Sequence, residues 1–179
     1  MTEPTNELAE LREEIDRLKA KDQIRQQIVR YARALDWLDP ELLREVHHED
    51  AYLDFGFFKG TFADYCPMVM ELEGSKDVTF HMCNTIQIEL KGDSAEVESY
   101  GIAAAREGEL TTIFGGRYLD SFERRDSGVW KIARRVFVLD WNLEHRGVDS
   151  LEEALAGLNF VTGRSVAHPL YRCLGVDVA

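Results

Sequence analysis

The stretch spanning residues 78–142 constrains the fold more than any other part of this chain. It divides into four segments, 78–90, 94–106, 109–125 and 129–142, each rich in alternating apolar and polar residues. Lys91-Gly92-Asp93 separates the first pair and Asp126-Ser127-Gly128 the second. In both turns the glycine can take the positive φ that a tight hairpin needs. Consecutive long strands joined by such turns form an antiparallel meander, which must bury one face against something else.

The N-terminal half supplies helices. Ile24, Ile28, Tyr31 and Leu35 fall on one face of a helix over 22–35, so Tyr31 points into the core. Before it, Leu8, Leu11, Ile15 and Leu18 make a narrow apolar stripe on an otherwise charged segment. The stripe is too short for a coiled coil of its own and suits packing on the domain or on a neighbouring subunit. Asp39-Pro40-Glu41 reads as a helix start: an N-cap carboxylate, proline in the first turn and an acid near the positive dipole end. That helix runs over 41–47. A strand over 51–58 and a broken helix over 61–73 follow, with Pro67 in the first turn of its second half. Helices first and strands later is the α+β arrangement. After Trp141, a short helix over 150–158 capped by Ser150 leads into a covering tail.

A chain of 179 residues fits one domain with a real core. Its 33 acidic against 21 basic residues give a net charge of −12, which repels phosphates and anionic lipid surfaces. Nucleic acid and membrane are therefore not expected partners. Three cysteines, Cys66, Cys83 and Cys173, without CxxC spacing do not suggest disulfides or structural zinc. The N-terminus lacks the basic-then-apolar order of a signal peptide, and no apolar run approaches the ~20 residues of a membrane span, so cytoplasm is the expected address.

Three stretches in order, IVRYARALDWLDPELLREVHHEDAYLDFG, VTFHMCNTIQIELKGDSAEVESY and GGRYLDSFERRDSGVWKIARRVFVLDW, resemble the SnoaL-like branch of the nuclear-transport-factor-two-like superfamily. The resemblance spans 22–142, leaving 1–21 as a helical extension and 143–179 as a covering segment. It implies a cone-shaped α+β barrel with N-terminal helices on a curved antiparallel sheet. This fold hosts dehydratases, isomerases, cyclases and binding modules, so fold alone does not give function. In the hexachlorocyclohexane dehydrochlorinase and the bile acid dehydratase, an aspartate ends the first core helix, a histidine lies early in the next long strand and an arginine in the last. The matching residues are Asp36 in RALDW, His81 in TFHMCN and Arg135 in IARRVF. The dehydratase's helical tyrosine matches Tyr31 in RYARALD. The resemblance also implies a homodimer or homotrimer packed on the open sheet face.

Those residue types permit elimination without a cofactor or metal. Histidine is the side chain whose ordinary pKa suits a base near neutrality, and a carboxylate on its other nitrogen fixes the tautomer. Such base assistance contributes ~10²–10⁴-fold in rate. Arg135 and Tyr31 would then be donors to the charge that develops on the leaving group or on an enolate-like oxygen. Phe55, Phe57, Cys83, Tyr100, Phe114, Phe137 and Trp141 would line an apolar pocket for a small hydrophobic or aromatic substrate. The reading is a lyase, with an isomerase or cyclase and a non-catalytic binding module as alternatives.

Each residue also has a plainer reading. A lone strand histidine is commonly a core residue, and Tyr31 a core tyrosine. Arg134 and Arg135 must face opposite ways, with Arg135 on the side of Phe137 and Leu139. Strict alternation sets His81 opposite Ile86 and Ile88, so either its face is the polar part of the pocket or a bulge shifts the register. His47-His48-Glu49-Asp50 has metal-ligand composition but diverging geometry at a helix-to-strand corner. Gly115-Gly116-Arg117 lies inside a strand and marks a bend, not a phosphate loop.

Overall fold

A computed structural model describes residues 4–147, 164–168 and 171. Helix α1 (Pro4–Asp36), helix α2 (Pro40–Val46), strands β1 (His47–Asp54) and β2 (Lys59–Thr61), and helix α3 (Phe62–Gly74) come first. Strands β3 (Val78–Lys91), β4 (Ser94–Glu107), β5 (Leu110–Arg124) and β6 (Trp130–Arg146) follow. The sheet order is β2-β1-β6-β5-β4-β3, with β1 parallel to β6 and every other pair antiparallel. Three helices thus pack on one face of a curved, unclosed six-stranded sheet, the α+β cone that the sequence predicts. The meander needs its turns: Gly92 and Gly128 have φ of +65° and +71°.

The first helix departs from the sequence reading. Residues 4–36 form one continuous helix of 33 residues, not two, because nothing around Lys21-Asp22 breaks it. It is about 50 Å long at 1.5 Å per residue. Ile24, Ile28, Tyr31 and Leu35 are buried as their spacing predicts, whereas Leu8, Leu11, Ile15 and Leu18 are exposed. The apolar stripe therefore does not pack on this chain's own domain. The helix closes in a Schellman motif: Asp39 N–H reaches Ala34 O at 2.8 Å and Leu38 N–H reaches Leu35 O at 3.2 Å. Leu38 holds the left-handed position at φ +54°, where a leucine costs about 1–2 kcal/mol.

Asp39 then caps α2, its Oδ1 accepting from Leu42 N–H at 2.9 Å with Pro40 in the first turn. Strand β1 begins at His47, directly after α2, not at Ala51, and Phe55–Phe58 is a turn closed by Phe55 N–H to Phe58 O at 2.8 Å. Helix α3 is unbroken, with Thr61 as its cap and Pro67 carried inside. It buries Phe62, Tyr65, Cys66 and Val69.

In antiparallel pairs, directly opposed residues share a face. The register therefore builds rows across the inner face of the sheet. One row is His81, Ala103, Phe114 and Asn142; the next is Cys83, Gly101, Gly116 and Leu139. A bulge between Asn84 and Ile86, with Thr85 at φ +52°, puts His81 and Cys83 on the same inner face as Ile86 and Ile88. That resolves the alternation conflict in favour of a shifted register. A second irregularity falls between Gly115 and Gly116, where a Cβ on Gly115 would overlap the Trp141 ring and one on Gly116 the Val138 carbonyl. The 150–158 helix lies outside the described residues.

Candidate active site

Asp36 ends α1 and His81 lies four residues into β3, which packs along that helix. The Asp36 carboxylate grips His81 twice: Oδ1 is 2.8 Å from Nδ1 and Oδ2 accepts the backbone N–H at 3.1 Å. A carboxylate only accepts, so Nδ1 carries a hydrogen, and Nε2 is the ring nitrogen left to meet another group. The negative end of the helix dipole is a poor place for Asp36, and these two donors offset it.

On the other side of the ring, Nε2 lies 3.8 Å from Glu73 Oε1 at the end of α3. The side chains of His81 and Glu73 are only 9% and 14% exposed. Burial pushes the Glu73 carboxyl above the ordinary carboxylate range, against the nearby charges of His81, Arg164 and Lys76. Small residues sit beside the histidine: Ala103 is its direct partner, and Ala105 and Gly101 flank it.

Beneath this level the helices and sheet enclose an aromatic floor. Phe55 stacks on Tyr65 with centroids 4.8 Å apart and lies 6.0 Å from Phe137, which is 5.0 Å from Tyr118. The Tyr31 and Tyr65 hydroxyls are 3.2 Å apart. Arg135 is fully buried between the Tyr31 and Tyr118 rings, 4.0 and 4.4 Å from their centroids. It forms a bidentate pair with Asp120, both contacts at 2.7 Å. Burial opposes its charge, but the Asp120 carboxylate more than compensates and holds its pKa above the usual value. Its Nη1 has no hydrogen-bond partner among the described residues. Burial raises the Tyr31 hydroxyl and pushes the Cys83 thiol up to about 11, so Cys83 is a neutral lining group.

The structure brings together Asp36, His81, Cys83, Tyr31, Phe55, Phe137 and Arg135 on the enclosed side of the sheet, with Phe114 in the His81 row. It does not bring in the other three. Tyr100 and Trp141 lie on the opposite face, where they line a depression of about 270 Å³ with Met82 and Ile102. Phe57 sits in the turn before β2 and is 71% exposed. For Trp141, the β6 irregularity beside Asp140 reverses the simple alternation counted from Phe137. Tyr100 aligns with Asn84, on the face turned away from Cys83.

Sequence reasoning missed Glu73, Asp120, Tyr65, Tyr118 and Arg164. Glu73 was detectable: it is the next step of the α3 stripe Phe62, Tyr65, Cys66, Val69, a carboxylate where an apolar residue belongs. Asp120 likewise interrupts the inward set Tyr118 and Phe122. Arg164 gave no local signal. Its guanidinium donates to Glu73 O at 2.8 Å, Lys76 O at 3.1 Å, Asp36 O at 3.4 Å and the Thr79 hydroxyl. It thereby ties together the elements that carry Asp36, Glu73 and His81. Nearby, His168 and Tyr171 pack on Trp37, with centroids 5.5 and 5.7 Å away.

The candidate metal cluster disperses. His47 is buried against Phe62 at 4.6 Å, His48 Nε2 bonds Glu123 O at 3.1 Å and Asp50 pairs with Arg125 at 2.7 Å. Among the described residues no group of three or more His, Cys, Asp and Glu side chains is disposed to hold a metal ion.

The family model of the SnoaL-like domain matches residues 16–136. The chain belongs to the SnoaL-like family. Several solved structures share its fold. A putative scytalone dehydratase from Novosphingobium aromaticivorans is 24% identical with a TM-score of 0.64, over 75% of this chain and 91% of that one. A type 2 hexachlorocyclohexane dehydrochlorinase is 17% identical with a TM-score of 0.69, over 75% and 95%. A nuclear transport factor 2-like superfamily protein from Salmonella enterica is 16% identical with a TM-score of 0.63, over 74% and 96%. No curated protein sequence matches the chain. These identities carry the fold and leave the chemistry to the SnoaL-like site itself. Among the described residues no helix is long and apolar enough to cross a membrane.

Proposed function

We propose that this SnoaL-like protein is a cofactor-independent lyase that eliminates water from a hydrophobic, aromatic or polycyclic hydroxylated small molecule. The observation that carries the reading is the double grip of Asp36 on His81, which fixes the ring through Nδ1 and leaves Nε2 as the nitrogen free to meet a substrate on the side of the sheet that carries the aromatic cluster. His81 takes the proton from an activated C–H, and Asp36 steadies the imidazolium that forms. The spare Nη1 of Arg135 and the Tyr31 hydroxyl are the donors nearest in kind to the charge that develops. Phe55, Phe137, Phe114 and Cys83 supply apolar surface suited to rings. The dehydratase and dehydrochlorinase named among the structural relatives perform eliminations, which supports the class and not the substrate. Loss of formaldehyde from a lignin-derived diarylpropane diol is a second outcome of the same base chemistry, and an isomerase or cyclase would use the base without elimination.

A screen of hydroxylated aromatic compounds read by mass tests the reading. Loss of the mass of water identifies a dehydratase and loss of formaldehyde the carbon–carbon cleavage; an unchanged mass with a new isomer points to isomerisation. His81→Ala should abolish turnover while substrate still binds. Binding with no turnover in the unaltered protein would favour the non-catalytic module. The proposal includes a cytoplasmic homodimer or homotrimer, supported by the apolar outer sheet face of Phe80, Met82, Ile102 and Trp141.

A further inference from the structure

The imidazole of His81 has a carboxyl group on each side, and the base chemistry above uses only one. Asp36 accepts from Nδ1 at 2.8 Å. Glu73 stands 3.8 Å from Nε2, the nitrogen that must meet the substrate, and is itself mostly shielded from solvent. It projects from the last turn of α3, on the stripe that buries Phe62, Tyr65, Cys66 and Val69. Among the described residues, no Lys or Arg side chain hydrogen-bonds its carboxyl. Arg164 meets Glu73 through the backbone carbonyl, and Lys76 pairs with Glu107 at 2.5 Å.

We propose that Glu73 is a second catalytic residue, the general acid that protonates the departing hydroxyl while His81 removes the C–H proton. The inference rests on the elimination reading and assigns the leaving-group half of it. The protons and electrons balance within the site. His81 Nε2 takes the substrate's C–H proton, the C–H pair becomes the new C=C bond, and the C–O bond breaks. The departing oxygen takes the Glu73 carboxylic proton and leaves as water. The imidazolium Nε2–H then returns its proton to the Glu73 carboxylate, directly or through one water, and both groups are reset. Hydroxide is a poor leaving group, so a base alone would stall at this step.

The two carboxyls are suited to opposite roles by their surroundings. Asp36 accepts two N–H donors from His81, one from the ring and one from the backbone. Glu73 receives none at its oxygens among the described residues, and burial raises its pKa despite His81, Arg164 and Lys76; Asp36 acts in the same direction as burial. A carboxyl held in its acid form by burial, beside a base, is the arrangement that general-acid assistance requires. The sign follows: Glu73 holds its proton at a pH where an ordinary glutamate has lost it, and acid assistance fades as pH rises through its raised pKa.

The test compares the full chain and Glu73→Gln on a β-hydroxy aryl ketone and the matching β-chloro ketone. Chloride needs no protonation to leave. Glu73→Gln should slow water loss by ~100-fold or more and change chloride loss by less than about 3-fold. It should also remove the alkaline fall of the water-loss pH profile. Equal slowing of both substrates, or an unaltered alkaline limb, would overturn the acid role and leave Glu73 structural. A readout without substrate separates this from the reading beneath it. Infrared difference spectra of Glu73→Gln against the unaltered protein near neutral pH should lack one protonated carboxylic acid band. If the unaltered protein turns over neither ketone, the elimination reading is struck. If the band is absent from the unaltered protein, the inference fails even where elimination is observed.

Discussion

Asp36 shows how much a single residue can be asked to do at a helix end. A carboxylate there opposes the dipole, and it is held by donors from β3. Asp36→Asn keeps the shape but can donate where Asp36 only accepts, so it would favour the wrong imidazole tautomer. A steady-state assay should show kcat falling by about 10⁴-fold, as for other histidine–aspartate pairs, with a smaller change in KM. Arg135 is a different case, because its pair with Asp120 is fully enclosed. Arg135→Met strands a buried carboxylate, and denaturant unfolding should register a loss of about 3–5 kcal/mol. His47 adds a pH term. Burial lowers its pKa from 6.5 to about 3, and Nδ1 is 3.0 Å from Leu43 O. The folded state thus refuses a proton that the unfolded chain accepts. Its contribution is complete above the unfolded value and is lost as pH falls from 6.5 toward about 3. Thermal melts should weaken over that window, and His47→Gln should flatten the slope. Asp36, His81, Tyr31 and Arg135 were readable through the resemblance of their surrounding segments to the SnoaL-like family, not through periodicity, since Tyr31 sits within an apolar stripe. Tyr65 and Tyr118 remained hidden because an apolar stripe with tyrosines looks the same whether it fills a core or floors a site.

At the scale of elements, strand β3 decides whether there is a site at all. Thr85 at φ +52° absorbs one extra residue, and everything before it in the strand keeps its face because of that bulge. Deleting Thr85 should turn His81 and Cys83 to the outer face, since a one-residue slip exchanges the faces. Activity should vanish, and the His81 ring should become reactive toward an acylating imidazole reagent from solvent. The four meander strands were legible because runs of alternating residues are bounded by turns that need glycine, even where a local irregularity shifts the alternation within a strand. The bulge was foreseen only as one of two options, because alternation reports that a conflict exists and not where the extra residue goes. The single long α1 was misread as two helices because a change from charged to apolar periodicity resembles a boundary, although no residue there stops a helix.

Across the whole molecule, the same sheet presents two unlike surfaces. Its inner face holds the candidate site, and its outer face exposes Phe80, Met82, Tyr100, Ile102 and Trp141. An apolar patch of that kind is usual at interfaces between subunits. Sedimentation should give a mass above one chain, and Ile102→Glu should reduce it to one chain without altering the fold. The tail segment acts at this scale too, since Arg164 gathers the ends of α1 and α3 with the start of β3. No pattern in the sequence linked residue 164 to that junction, because a hydrogen-bonding cation in an irregular segment leaves no periodic trace.

The most direct measurement is a long-range ¹H–¹⁵N spectrum of the His81 ring near neutral pH in the full chain. The account predicts a hydrogen on Nδ1, an unprotonated Nε2, and a change of tautomer or a mixture in Asp36→Asn. A hydrogen on Nε2, or a ring whose signals ignore the loss of the Asp36 carboxylate, would contradict it.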